Sequence, residues 1–447
     1  MPDSPTMSSL VNQTPENSAL TVIAHALLQS TTTFQDLLQR HDLPLPSFAA
    51  SGRTDWIDTQ PFPDIVEARS SLIDQARTLL DLAMGPTDIL GAYSGGIITE
   101  IEVLRTIVEL NVYDAVPLDG EIDMKDLAKK LGIQNEVGFR DQMKFAFLMG
   151  LFRETKDGKI AQSVLSAALP GSSGWIKLRL GKLYTQGGHE IANFLRTEDG
   201  KGGIHAAPGA LADPTGQRRS TWEQLHAANL MELYSPSMPG LLAHHAGGSK
   251  ISLIEGLNWE SLGHGATVVD VGGGNGHIDV AVAPRLPGIH FIVQDQASNE
   301  YGAKQLIADS GVSGQVEFQV HDFFQPQPIL PGGRVAKAYM LMRVLQDWSA
   351  VDCVRILKPL ANSMKKSGAR LWILGRILPD EPGTMPVFQE KLLRNMGLLC
   401  FMLYGAGERT ANDLREILKA TDPELRITKI VRPLHSVLSF TEIVWGQ

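Results

Sequence analysis

The sequence predicts an α/β protein in which a mostly helical N-terminal half, carrying a winged-helix module, precedes a doubly wound and mostly parallel sheet. Three observations lead there. Short apolar runs alternate with helix-patterned stretches from Ala266 to Leu374, as expected of parallel strands covered by helices on both faces. A glycine run, Gly272 to Gly276, follows the first of those strands, where a tight turn opens into a helix. The first half instead shows apolar residues at helical period, interrupted by one short hairpin.

At 447 residues the chain exceeds the usual single domain, so two or three are expected. The net charge of -9 argues against a general nucleic-acid binder, which needs Lys and Arg for phosphate contacts. Cys353 and Cys400 are too few for a disulfide framework and are not spaced as metal ligands, so a reducing compartment and no metal are expected. Met1 to Ser18 is polar and has no basic residue, unlike a signal peptide. No run approaches the roughly 20 apolar residues of a membrane helix. These features together predict a cytoplasmic protein that does not span a membrane.

Residues 1–63 read as an extension, with a helix over Ala19 to Arg40 and a Pro-, Ser- and Gly-rich connector from Leu43 to Pro63. The domain 64–170 opens with a helix over Ile65 to Met84, whose stripe of Val66, Leu72, Ile73, Ala76, Leu79 and Leu80 serves either a core or a dimer contact. Met124 to Leu131 and Val137 to Met149 give two further helices. Leu151 to Glu154 and Lys159 to Ile160 then flank the turn Lys156-Asp157-Gly158, completing a winged-helix pattern. The second of those helices is too apolar to read a DNA groove, which favours packing or dimerisation. Residues 171–245 are expected to form a helical linker and pocket wall, broken by a loop from Asp199 to Gly209.

The remaining domain, 246–447, holds strands over Ala266 to Val271, Ile289 to Gln294, Gln315 to Val320, Val335 to Leu341 and Ala369 to Leu374. Leu425 to Val431 and Ser436 to Val444 close it as an antiparallel pair. Gly272, Gly273 and Gly274, placed after Asp270, let the backbone approach a ligand closely. Asp295 ends the second strand, where a carboxylate accepts ribose hydroxyls, a pairing that NAD enzymes share. Asp322 and Phe323 follow the third strand and suit an adenine amino group and ring, or alternatively an acidic cap beside core aromatics.

In that order, Val268-Val-Asp-Val-Gly-Gly-Gly-Asn-Gly276, Asp295, His321-Asp322-Phe323, Val344-Leu-Gln-Asp-Trp348 and Gly407-Glu-Arg-Thr410 resemble the plant and fungal small-molecule O-methyltransferases. The resemblance spans about residues 65 to 447 and implies a class I methyltransferase Rossmann-like fold, a winged-helix dimerisation domain, a homodimer and S-adenosylmethionine as cofactor. It further implies cofactor contacts from Gly272, Gly273, Gly274, Asp295, Asp322 and Phe323, with Trp348 nearby.

The same resemblance exposes a gap in the reaction machinery. The family's general base is the His of a Leu-His-Asp-Trp motif, and that position is Gln346, an amide that cannot take a proton near neutral pH. An acid that the family places at the end of the fifth strand is Gly375, a Lys or Arg four residues before the His is Met342, and only Glu408 of the bracketing acids is kept. Arg343 can substitute for the missing cation. Asp347, His226 or Glu408 could serve as a displaced base.

The sequence therefore resembles, in its departures, the methyltransferase-like pericyclases of fungal polyketide and pyridone alkaloid pathways, which hold S-adenosylmethionine without consuming its methyl. Gln346 and Arg343 would then polarise a conjugated carbonyl during an Alder-ene or hetero-Diels-Alder closure, with or without prior dehydration to a quinone methide. The pocket for such a hydrophobic substrate is expected from Trp222, His226, Met231, Tyr234, Met238, Met342, Met396, Phe401 and Met402, each of which also suits a core position. The competing readings are an O-methyltransferase acting on a phenolic or polyketide hydroxyl, and a non-catalytic cofactor-binding dimer partner.

Overall fold

In a computed structural model the described residues are 18–52, 62–196, 225, 230, 256–433 and 438–446. They fall into two compact units. The first takes the described residues up to Leu180 together with Pro386–Gln389, and the second takes the others.

The first unit begins with α1 (Ala19–Arg40), capped by the Ser18 hydroxyl accepting from the Thr21 N–H at 3.3 Å, and α2 (Pro63–Gly91). Phe34 and Leu38 of α1 pack on Ile65 of α2. The sequence predicts that α2 stops near Met84, yet it continues to Gly91. Gly85, at φ 71°, makes a kink there, and Pro86 opens the next turn, where its missing N–H costs nothing. After α3 (Ile97–Glu109), α4 (Val112–Ala115) and β1 (Glu121–Ile122) come α5 (Met124–Lys130) and α6 (Glu136–Leu148), close to their expected limits. The expected hairpin forms as β2 (Phe152–Glu154) against β3 (Ile160–Gln162), with β3 central in the order β1-β3-β2. Phe139, Met143 and Ala146 bury one face of α6 with Ile107, Phe152 and Ile160. The Gln162 amide, 4 % exposed, donates to the carbonyls of Tyr113 and Val116 at 2.7 and 2.9 Å, locking the hairpin onto the helices. The helix α7 (Val164–Leu180) ends this part.

The second unit contains α8 (Lys182–Phe194) and the main sheet. Its strands are β4 (Ala266–Val271), β5 (Ile289–Asp295), β6 (Val316–Val320), β7 (Ala336–Met342), β8 (Arg370–Gly375), and the closing pair β11 (Leu425–Val431) and β12 (Ser439–Trp445). The order is β11-β12-β8-β7-β4-β5-β6, parallel from β8 to β6 and antiparallel at β12 and β11. All six residues of β4 are buried, and its apolar run is interrupted by the buried Thr267 and Asp270. Alternate residues feed two cores. Val269 and Val271 face one, with Leu341, Ile356 and Leu360, while Val268 faces the other, with Met340, Trp372 and Trp259. Among the covering helices are α9 (His277–Val282), α10 (Ala297–Asp309), α11 (Ala350–Ser367) and, after α12 (Val387–Tyr404) in the chain, α13 (Ala411–Thr421), which opens with a Thr410/Asp413 capping box. A two-residue parallel ribbon pairs β9 (Ile377–Leu378) with β10 (Arg409–Thr410).

Two sequence expectations fall outside the described residues: the loop from Asp199 to Gly209, and the wall positions Trp222, His226, Met231, Tyr234 and Met238. Among the described residues, no helix is long and apolar enough to cross a membrane, and no cluster of His, Cys, Asp and Glu could hold a metal ion.

Candidate functional site

Strand order reverses between β5 and β7, the two neighbours of β4, and crevices at the carboxyl ends of strands on either side of such a point are where open α/β sheets take ligands. Gly272, at φ +75°, follows β4 there. A Cβ on it would lie 3.0 Å from a Val344 methyl and 3.5 Å from the Phe323 ring. A Cβ on Gly273 would lie 2.5 Å from an Asp270 oxygen, and Gly274 and Gly276 also take positive φ. The loop is therefore shaped by the absence of side chains. Asp295, at the end of β5, fixes it by accepting from the Gly274 N–H at 2.8 Å, while its other oxygen accepts from Gln296 N and Asn299 Nδ2.

Asp322 caps its own turn through the Phe324 N–H at 3.0 Å. Phe323 stands edge-on to Trp348 with ring centroids 5.6 Å apart, and Phe324 contacts both rings at 5.0 and 5.1 Å. Gly272, Gly273, Gly274, Asp295, Asp322, Phe323 and Trp348 thus line one end of the sheet, and the backbone cradle and aromatic wall fit a nucleoside.

Beneath this loop lies a feature the sequence reading missed. Asp270 and Asp279 are both buried, at 2 % and 0 % exposure, and among the described residues neither oxygen of Asp279 has a hydrogen-bond partner. Burial first, then the neighbouring Asp279 and Asp295 charges, pushes Asp270 well above the usual carboxylate range, and burial pushes Asp279 up to about 6. Two neighbouring buried carboxyls disfavour being ionised together, so protonation is favoured at this pair. A signal existed: the second acid lies on the buried side of the short helix after the glycine run.

The reaction end is built from the segment after β7. Arg343, at φ +58°, turns the chain out of the strand, and its N–H bonds the Leu374 carbonyl at 2.8 Å. The turn Leu345–Asp347 follows. Gln346 is 6 % exposed, and its amide nitrogen donates to the Arg343 carbonyl. The Arg343 guanidinium donates to Glu408 Oε1 at 2.6 Å, and Arg376 donates to the same oxygen at 3.1 Å. Both Arg376 and Glu408 side chains are 2 % exposed. Arg409 donates to the Leu345 carbonyl at 2.7 Å and to the Trp348 carbonyl, holding the turn.

These contacts correct the sequence expectations. Arg343 is paired with Glu408 through Nη1, so its charge already has an acid partner within the chain. The Gln346 nitrogen is held by backbone. Burial raises the Glu408 pKa, but the two guanidiniums outweigh it and leave the carboxyl below its usual range, so it is no proton acceptor near neutrality. The titrating group here is Asp347, which burial pushes up to about 7 against the pull of Arg343 and a bond from Gln346. A cleft lined by Leu341, Gln346, Gly375, Arg376, Glu408 and Leu414 lies among these groups.

Three expected wall residues lie on α12, whose Gly397 adjoins Glu408. Met396 is buried at 3 %, Phe401 packs edge-on against Phe194 at 5.6 Å, and the Met402 methyl lies 2.9 Å from where a Gly188 Cβ would be. Phe401 and Met402 thus meet α8. Met342 ends β7 and packs on the sheet core. Arg376 was missed because its partner stands 32 residues further on.

A family model for an O-methyltransferase domain matches residues 240–422. The chain is 30% identical over 380 residues to O-methyltransferase aoiO of Aspergillus oryzae, covering 84% of this chain and 91% of that one. It is 28% identical over 440 residues to O-methyltransferase pgmB of Aspergillus terreus, covering 95% and 96%. Among solved structures, OxaC superposes with a TM-score of 0.75 at 21% identity, over 96% of this chain and 99% of that one. OxaC is also known in complex with SAH and oxaline.

Proposed function

The chain belongs to the O-methyltransferase family, and we propose that it binds S-adenosylmethionine and methylates an acidic hydroxyl on a small fungal secondary metabolite. The observation that carries this reading is the junction of two parts at one end of the sheet. A glycine cradle walled by Phe323 and Trp348 adjoins a buried, cation-rich cleft at Gln346, Arg376 and Glu408. The named activities of the fungal relatives support methyl transfer over cyclisation.

Gly272, Gly273, Gly274, Asp295, Asp322, Phe323 and Trp348 would hold the cofactor, which supplies an electrophilic methyl on a sulfonium. The chain's own part is to orient the hydroxyl and manage its proton. Gln346 cannot accept it. Asp347, poised near neutrality beside Gln346, is the acceptor we assign. The domain at 64–170 is assigned a dimerisation role, in keeping with exposed Leu80, Leu82, Leu90 and Ile98 on its second and third helices.

One specific observation favours a second reading. The family's imidazole position holds an amide, which suits a pericyclase that folds and polarises its substrate without deprotonating it. A single incubation of the protein with S-adenosylmethionine and a polyketide or pyridone alcohol separates the two. Methyl transfer gives a product heavier by one methyl with release of S-adenosylhomocysteine. A product that is isomeric, or lighter by water, without that release would replace methyl transfer by cyclisation. Neither outcome across a panel of substrates would support a non-catalytic partner role.

A further inference from the structure

Around Glu408, Arg343 has a second acid acting on it, Asp347, whereas Arg376, among the described residues, has Glu408 alone. Two guanidiniums, Arg343 and Arg376, converge on one carboxylate oxygen in a setting where Arg376 is 3 % exposed. Among the described residues, the side-chain hydrogen bond of Arg376 is the single one from Nη1, so the remaining N–H donors of its guanidinium are left over. Burial and the repulsion of Arg343 pull the Arg376 pKa down to about 10, in spite of Glu408. Buried cations in this position call for a second anion.

Space for one exists beside it. Gly375 precedes Arg376 at the end of β8 and lines the same cleft. Its φ is not in the left-handed region, and a Cβ built there meets nothing within 4 Å. Neither backbone conformation nor close packing explains the glycine. Omitting a side chain there leaves room in front of an incompletely paired guanidinium, walled by the apolar side chains of Leu341 and Leu414. Low polarity around such a cation strengthens its hold on a charged oxygen.

We propose that Arg376 and the space over Gly375 form an oxyanion-binding site, so that the substrate docks there through the ionised oxygen of a phenol or enol. This rests on the proposed methylation of an acidic hydroxyl and assigns the residue that would hold its ionised oxygen. Favouring the anion lets the site lower the substrate's own pKa, which offsets the loss of an imidazole at position 346.

The test is spectrophotometric and reads no turnover. 4-Nitrophenol, whose neutral and ionised forms absorb differently, is titrated with pH in the presence of saturating full-length protein. The bound probe is expected to ionise at least about one pH unit below the free probe, a roughly tenfold preference for the anion. Arg376→Gln should abolish the shift and Arg376→Lys should retain most of it, with thermal unfolding confirming that each variant is folded. Saturable binding without a shift, a shift that survives Arg376→Gln, or no saturable binding by the wild-type protein overturns the proposal. If Arg376→Gln does not fold, the wild-type titration and Arg376→Lys decide. Because S-adenosylhomocysteine is not measured, loss of methyl transfer with an intact shift sinks only the proposed function.

Discussion

Arg376 and Glu408 form a 3.1 Å ion pair in which both side chains are 2 % exposed, and Arg343 joins the same carboxylate oxygen at 2.6 Å. The carboxylate is what allows two guanidiniums to lie so close. Glu408→Gln keeps the shape and removes the charge, so it should destabilise the fold by about 3–5 kcal/mol, the usual cost of leaving buried ions unpaired. Urea unfolding measures this. A loss under about 1 kcal/mol would mean that solvent reaches the cluster.

Asp347 should set the pH response of the reaction. The carboxyl is active as a base when ionised, and burial places its pKa at about 7. The methyl-transfer rate should therefore climb as pH rises through neutrality and level off above it. Asp347→Asn should flatten that limb and lower the plateau on the order of 10²-fold. A variant profile parallel to the wild type would move the proton to solvent or to the substrate alone.

The Asp270 and Asp279 pair makes a stability prediction whose sign follows from their raised pKa values. In the unfolded chain Asp279 would ionise near 3.8, whereas in the fold it does so at about 6. The folded state thus binds more protons between those values, so stability is fully present below about 3.8 and is lost as pH rises from there through about 6. Asp279→Asn replaces the carboxyl with an amide that does not titrate. The variant should be more stable than wild type by about 1–3 kcal/mol at pH 8 and show little gain at pH 3, below both pKa values. Thermal unfolding at the two pH values checks it, and an equal effect at both would exclude a raised Asp279 pKa in the fold.

Much of this was legible in the chain and some was not. β4 and β5 could be read because burial on both faces demands mostly apolar, largely β-branched stretches such as Val268-Val269 and Phe291-Ile292-Val293. The hairpin at Lys156-Asp157-Gly158 could be read from its turn chemistry. The extension of α2 past Met84 could not, since Gly-Pro marks both helix ends and kinks. Gln346 was visible as a substitution, but its consequence was not, because the groups that decide it come from distant segments. Arg343 and Glu408 are 65 residues apart, and no periodicity links them. Sequence reading therefore offered Arg343 and Glu408 as free actors, whereas folding makes them partners.

Gly272 should tolerate no side chain. At φ +75° an alanine costs roughly 1–2 kcal/mol in backbone strain alone, and its methyl would press on Val344 at 3.0 Å and narrow the gap to Phe323. Gly272→Ala should weaken S-adenosylmethionine binding at least tenfold by calorimetry while lowering the melting temperature modestly. Unchanged affinity would place the nucleoside elsewhere on the sheet.

The ribbon in which Ile377–Leu378 runs beside Arg409–Thr410 acts as a clasp, since Arg376 and Glu408 are the residues immediately before its two halves. The spacing of the charges is thereby written into main-chain pairing and owes nothing to whichever side chain stands at 346. Evolution, or a protein engineer, can exchange the reactive group there while the electrostatic frame stays in place, so a lineage can move between proton-abstracting and purely polarising chemistries without rebuilding its scaffold.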